Sequence, residues 1–338
     1  MAVRRARKHL LDNDQQRVGD TSLPLLQDEV ARLVRDYPRL PLGEIWEDLL
    51  SAHDEVLHLI ETRRFTPSQL RDTNVMAAVL SFLVAKAFND LEDRDQARTM
   101  TLVAAAFAKD AEHTGLAAMV NGLQSLIEYW ADRPTDAFFY AKKGADSATG
   151  LSGTVAPWLL GLQARAAARM GDEASALQAI AQAAELREHV VPDDLDQLGG
   201  LLTYSHAKQL YYTVEAEALL GHGDEDLARQ AEEAVAKFSD EDAPDWAFGD
   251  LAGARCNLSL VRLHHGDVEG AAEAVRPVLD LSPYLPEQRH RRLHSACTGR
   301  PVAWPRPHGR RRTQSAGGDR RLPTAAPRPP PGPPQLTR

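Results

Sequence analysis

The chain has 338 residues, 43% of them hydrophobic and 26% charged, which is enough apolar material for a sizeable core. Its net charge of −9 hides a split: residues 284–338 hold twelve arginines against two acids, so residues 1–283 carry 27 basic and 46 acidic groups, a net of −19. A body of that charge repels nucleic acid. No apolar run approaches the ~18 residues of a bilayer span, and Met1-Ala2-Val3-Arg4-Arg5 opens no signal peptide, so a cytoplasmic, non-membrane protein is expected.

Residues 2–16 read as a short basic helix, with Arg4, Arg5, Arg7 and Lys8 around Val3, Leu10 and Leu11, a solvated end that caps the next hairpin. The next helix opens at Ser22 and runs to Tyr37-Pro38, placing Leu26, Val30, Leu33 and Val34 on one face. Pro41 starts a longer helix with Ile45, Leu49, Val56 and Ile60 on its apolar face, ending near Arg63-Arg64. Thr66-Pro67-Ser68-Gln69 is a helix start: threonine as N-cap, proline in the first turn and glutamine three residues after the cap. The helix beyond it, through Met76, Leu80, Leu83, Val84 and Phe88, is apolar on more than one side and should be central.

From there the chain repeats. Gly171-Asp172 closes one helix and opens another whose small residues Ala176, Ala179 and Ala183 share a face. The motif returns as Gly223-Asp224 with Ala228 and Gly266-Asp267 with Ala271, and more loosely before Ala97 and Ala137. The anchors 97, 137, 176, 228 and 271 lie 40, 39, 52 and 43 residues apart, a spacing of stacked supersecondary units. Twelve residues before them stand Ala85, Ser125, Ala164, Ala216 and Ser259; seven after stand Ala104, Gly144, Ala183, Val235 and Val278. Small side chains at both crossings let paired helices approach closely. The interval of 52 holds an insertion, residues 189–200, ahead of Tyr204, Tyr211 and Tyr212.

No residues point to catalysis, to a cofactor or to a metal. Asp193, Asp194 and Asp196 lack the glycine and terminal glutamate of a calcium loop and read as helix-start charges. His264-His265 end a helix, where imidazole can meet free carbonyls. GxSxG, Walker and HExxH patterns are absent, and Cys256 and Cys297 form no framework, suggesting a reduced compartment. The protein is therefore read as a non-enzyme.

The hairpin pattern resembles the tetratricopeptide repeat, with Pro283 at the place of the proline after the last hairpin, though the large aromatics are mostly missing and the period exceeds the ~34 residues usual there. That resemblance implies an all-α solenoid of helical hairpins in a right-handed superhelix, over residues 66–283, with residues 1–65 as N-terminal helices packed on it. Residues 284–338, with eleven of the 21 prolines, are expected to be disordered, as a genuine tail or a reading-frame shift. The segments 123–130, 192–200, 209–212 and 246–250 further resemble the repeat region of actinobacterial regulators of the Cro/repressor helix-turn-helix class, over roughly residues 2–281. In those proteins the repeats serve as sensor, dimerisation or partner-binding module behind a DNA-binding domain. Here the chain opens at what would be the linker helix, so the recognition helix is missing from it, and no direct sequence-specific DNA binding is expected. The resemblance implies a regulatory sensor that binds a peptide or partner protein and forms a homodimer; the alternative is a constitutive scaffold or chaperone-type adaptor.

In tetratricopeptide hairpins the first helix lines the concave groove. Counting back from the anchors places Phe82, Lys86 and Asn89 there from the first hairpin, Gly122, Tyr129 and Trp130 from the second, and Trp158, Gly161, Arg165 and Arg169 from the third. Gly122 and Gly161 are expected to leave a gap between aromatic walls, with the cations Lys86, Arg165 and Arg169 around it, Arg165 and Arg169 meeting ligand carboxylates and Asn89 bonding a peptide backbone.

Overall fold

A computed structural model describes residues 22–280, residue 244 excepted. The expected basic helix at 2–16 and the arginine- and proline-rich segment 284–338 lie outside the described residues.

The described chain is an all-α array of helical hairpins. Two helices precede the array, α1 (Ser22–Asp36) and α2 (Leu42–Thr62). The hairpins are α3 (Pro67–Asp90) with α4 (Arg94–Asp110), α5 (Thr114–Trp130) with α6 (Pro134–Ser147), and α7 (Val155–Arg169) with α8 (Glu173–Arg187). After the insertion, which holds α9 (Asp194–Leu198) and a 3₁₀ turn Gly200–Leu202, come α10 (His206–Leu219) with α11 (Glu225–Lys237) and α12 (Phe248–His265) with α13 (Val268–Asp280). The architecture is tetratricopeptide-like.

One local device ends and starts these helices. At six helix ends a left-handed residue follows: Glu92, Glu112, Asp132, Gly171 and Gly221 just after the cap and Gly266 as the cap itself. The next backbone N–H then bonds back to the carbonyl five residues earlier, as from Asp172 to Ala167 at 3.0 Å and from Asp267 to Arg262 at 2.8 Å. Where that next residue is aspartate, its side chain also caps the following helix, Asp93 accepting from Gln96, Asp172 from Ser175 and Asp267 from Gly270. Glycine and aspartate thus close one helix and open the next on adjacent residues. The Thr66 start forms as expected, with Thr66 Oγ1 accepting from the Gln69 amide and Gln69 Oε1 from the Thr66 amide.

Helix α3 is buried nearly all round, from Met76 to Ala87, and the core gathers about it. Helix α1 buries Leu26, Val30, Leu33 and Val34; on α2, Leu59 is buried in place of the expected Ile60. The anchors Ala97, Ala137, Ala176 and Ala271 are at most 2% exposed. The fourth hairpin departs from the expected register. Ala228 is only half-buried, and the inward face of α11 is Leu227, Ala231 and Ala234, continued by the cap residue Phe238, so that it begins one residue earlier. The cause is the turn: the left-handed residue is Gly221, and His222 and Gly223 lengthen the link before Asp224 caps α11 at the Leu227 amide. Gly223 serves a close approach instead, since a Cβ there would lie 2.8 Å from the His264 backbone. His264 and His265 do meet carbonyls, those of Ala218 and Gly223 in the neighbouring hairpin, at 3.1 and 2.9 Å.

The insertion folds back onto the start of the array. Asp193 caps α9, while Asp196 accepts from the amide and hydroxyl of Thr154, so these acids are cap charges. Gly200, at φ +53°, lets the 3₁₀ turn touch α1: a Cβ there would lie 2.0 Å from the Val34 carbonyl oxygen. From the turn after α1, Arg39 donates to the carbonyls of Ala243 and Glu241, both at 2.8 Å, with Trp246 beneath its guanidinium. No helix among the described residues is long and apolar enough to cross a membrane.

Candidate functional site: an inner cavity

The first helices of all five hairpins face one cavity of about 240 Å³. Its walls are Phe82, Lys86 and Asp90 of α3, Met119, Leu123, Leu126 and Trp130 of α5, and Val155, Trp158 and Arg165 of α7. Lys208, Tyr211 and Tyr212 of α10 and Gly249, Asp250 and Gly253 of α12 complete them. Tyr37 and Pro38 and residues 201–204, which follow the insertion, also line it. No wall residue comes from a second helix of a hairpin. The small-residue seam turns each second helix outward, and the first helix keeps the inner side.

Five of the ten expected groove residues line this cavity: Phe82, Lys86, Trp130, Trp158 and Arg165. The others stand behind the wall or beside it. The expected gap is filled from within the chain. A Cβ on Gly122 would lie 2.2 Å from the Trp158 ring, and one on Gly161 2.5 Å from the Tyr204 hydroxyl, so both glycines receive aromatic side chains of later elements. Gly253 receives Tyr211 in the same way. Asn89 is 1% exposed, and neither its amide nitrogen nor its oxygen has a hydrogen-bond partner. It does not reach the cavity.

The three cations expected around the gap, Arg165 and Arg169 for ligand carboxylates and Lys86 beside them, are held by acids of this chain. Arg165, 2% exposed, donates to Glu215 at 3.0 Å between the rings of Tyr129 and Tyr212, whose centroids are 4.5 and 4.2 Å from its guanidinium carbon. The Tyr129 hydroxyl donates to the same carboxylate at 2.7 Å. Burial opposes the Arg165 charge, but Glu215 prevails and holds its pKa well above the usual guanidinium value. Arg169 bonds Asp132 at 2.7 Å. Lys86 bonds Asp90 at 2.6 Å, over the ring of Tyr37, whose hydroxyl donates to Asp90 at 2.8 Å.

Sequence reasoning missed a fourth cation. Lys208 Nζ lies 3.1 Å from Asp250 Oδ2; burial works against its charge, Asp250 outweighs that, and its pKa is raised. Burial also raises the phenols of Tyr204, Tyr211 and Tyr212, which stay neutral. Tyr204 is set by the insertion, since its amide donates to Thr154 Oγ1, the hydroxyl that Asp196 holds. Tyr204, Tyr211, Tyr212 and the segment 246–250 are prominent in the sequence; that they meet is evident only from the fold. Among the described residues no group of three or more His, Cys, Asp or Glu is placed to hold a metal ion.

No family model matches the chain, and no curated protein matches it. Among solved structures it is similar to a Rap protein crystallised in complex with competence and sporulation factor. The identity is 13% and the TM-score 0.48, over 80% of this chain and 79% of that one.

Proposed function

We propose that this protein is a regulatory interaction module that receives a peptide or a segment of a partner protein at the inner cavity. One observation carries the reading: five first helices, the insertion and the turn after α1 converge on a cavity walled by aromatic rings and paired charges. Sites of this kind, mostly apolar with a few placed polar groups, take ligands. The net charge of −19 over residues 1–283 disfavours a DNA surface there. We assign the module to the sensor arm of a transcriptional regulator of the Cro/repressor type, cytoplasmic and homodimeric. The support is the resemblance of segments 123–130, 209–212 and 246–250, which supply Leu123, Leu126, Trp130, Tyr211, Tyr212, Gly249 and Asp250 to the cavity.

The test compares wild type with Gly249→Phe. A Cβ at Gly249 meets nothing within 4 Å, so the variant should fold and obstruct the cavity. Affinity enrichment from cell extract, with mass spectrometry and folding checked by circular dichroism, should yield a defined peptide or protein that the variant loses. An identical set from both proteins rejects the site. A constitutive adaptor is the second reading; sedimentation with and without the enriched ligand separates the two, since only a sensor changes its assembly or shape on binding.

A further inference from the structure

The described array ends on an apolar face. In earlier hairpins the second helix turns residues beside its seam onto the hairpin that follows: Phe138 of α6 packs on a cluster that includes Ala164 and Ala167 of α7, and Ala228 and Val235 of α11 on one that includes Leu258 and Val261 of α12. The matching residues of α13 are Ala272, Val275 and Leu279. With Val268 they recur at spacings of four, three and four, a stripe along one side of the helix. No first helix follows α13 among the described residues, and Val268 is 66% and Leu279 57% exposed. The last unit of a repeat array needs a polar outer side if nothing stacks on it. This one carries an apolar stripe, which marks a face to be covered.

The edge of the stripe indicates what covers it. Glu269 and Arg276 stand two turns apart on that edge, both exposed, and neither side chain has an ion pair or hydrogen bond among the described residues. Laid antiparallel on its own copy, about an axis between Ala272 and Val275, the helix sets Val268 against Leu279 and Ala272 against Val275. The same placement brings each Glu269 to the second copy's Arg276. A parallel placement would set Glu269 on Glu269 and Arg276 on Arg276. Stripe and charges are thus complementary to themselves, as a two-fold interface requires.

We infer that α13 is a dimer surface, packing antiparallel on α13 of a second copy and covering the end of the array where a sixth hairpin would stack. This rests on the homodimer assigned above and gives it a surface; the inner cavity plays no part in it. A helix of 13 residues is about 20 Å long, so the interface is small and the dimer reversible and concentration-dependent.

Sedimentation velocity on the full chain over a range of concentrations tests it, with no ligand present. The wild type should pass reversibly from monomer to dimer. Val268→Lys and Leu279→Lys, at exposed positions, should each weaken the dimer about tenfold or more and leave the melting temperature of the monomer unchanged. Glu269→Arg and Arg276→Glu should each weaken it about fivefold by bringing like charges together. Both changes in one chain should restore the wild-type constant, and an equimolar mixture of the two single variants should pair more tightly than either alone. Loss in Leu279→Lys without rescue by the charge exchange overturns the antiparallel pairing. A dimer indifferent to every variant overturns the surface and leaves the homodimer standing. A chain that stays monomeric overturns both; a melting temperature lowered by Leu279→Lys then assigns the stripe to another segment of the same chain, and an unchanged one to a different protein. Open-ended growth with concentration means head-to-tail stacking and also overturns the two-fold pairing.

Discussion

The seams inside the hairpins and the wall of the inner cavity are built by the same helices and obey different rules. At the seams the residues are nearly interchangeable: Ala85, Ser125, Ala164 and Ala216 on first helices and Ala97, Ala137 and Ala176 on second ones, all almost fully buried. Each makes a close crossing that neighbouring residues define. On the wall the side chains differ from hairpin to hairpin, and key ones are held from far along the chain, as Arg165 is by Glu215, 50 residues on, and Lys208 by Asp250, in the next hairpin. Repetition sets the spacing of the helices. The departures from repetition, meaning the insertion, the glycines that receive rings and the paired charges, give the inner face its chemistry.

The contrast breaks most visibly at Glu215. Glu215→Leu leaves Arg165 charged and buried between two rings, which should cost about 3–5 kcal/mol in urea denaturation. Arg165→Met together with Glu215→Leu should recover most of that loss. A single-variant cost near that of a surface substitution would mean the wall is not held by this pair. At a seam, Ala176→Leu adds three heavy atoms to a tight crossing and should cost roughly 1–3 kcal/mol, against about 0.5 kcal/mol or less for exposed Ala174→Leu. Ala228→Leu, at a half-buried position, should fall between them. Equal costs at Ala176 and Ala228 would restore the register that the sequence suggests.

The smallest effect is set by pH at the contact of α2 with α3. His53 is 8% exposed with Nε2 3.0 Å from Ser81 Oγ, and burial lowers its pKa, Asp54 only partly opposing. The folded state then prefers the neutral ring. Its contribution is complete above the unfolded value of about 6.5 and is lost as pH falls from there through the folded value, by at most ~1.4 kcal/mol per pH unit. His53→Gln should flatten the fall in stability as pH drops below about 6.5. An unchanged slope would place the acid sensitivity elsewhere.

The hairpins are legible in the sequence because their code is local. A Gly-Asp pair states where one helix stops and the next starts, and small residues at fixed offsets state which faces meet. Where the code misleads by one residue, at Ala228, two glycines compete as the left-handed residue and only the fold shows that Gly221 takes that place. The inner wall is half legible. Phe82, Lys86, Trp130, Trp158 and Arg165 emerge from the helical count, but Lys208, Asp250 and Tyr204 depend on where the insertion returns. Gly122 shows the limit: a missing side chain says that something comes close, and here it is Trp158 of the same chain.

The hydrogen bonds from Arg39 to the carbonyls of Ala243 and Glu241 join residues 204 and 202 positions apart. In an open solenoid each unit answers to its neighbours and the two ends fray independently. This clasp gives the ends a common fate, so that loosening near α12 is felt at α1. It also closes a very long loop, whose entropy must be overcome before the contact returns anything, and so it should be among the last contacts to form. Tyr37 and Pro38 of the cavity wall immediately precede Arg39 in the chain. The bore of the inner cavity is thereby tied to one of the most sequence-distant contacts of the fold.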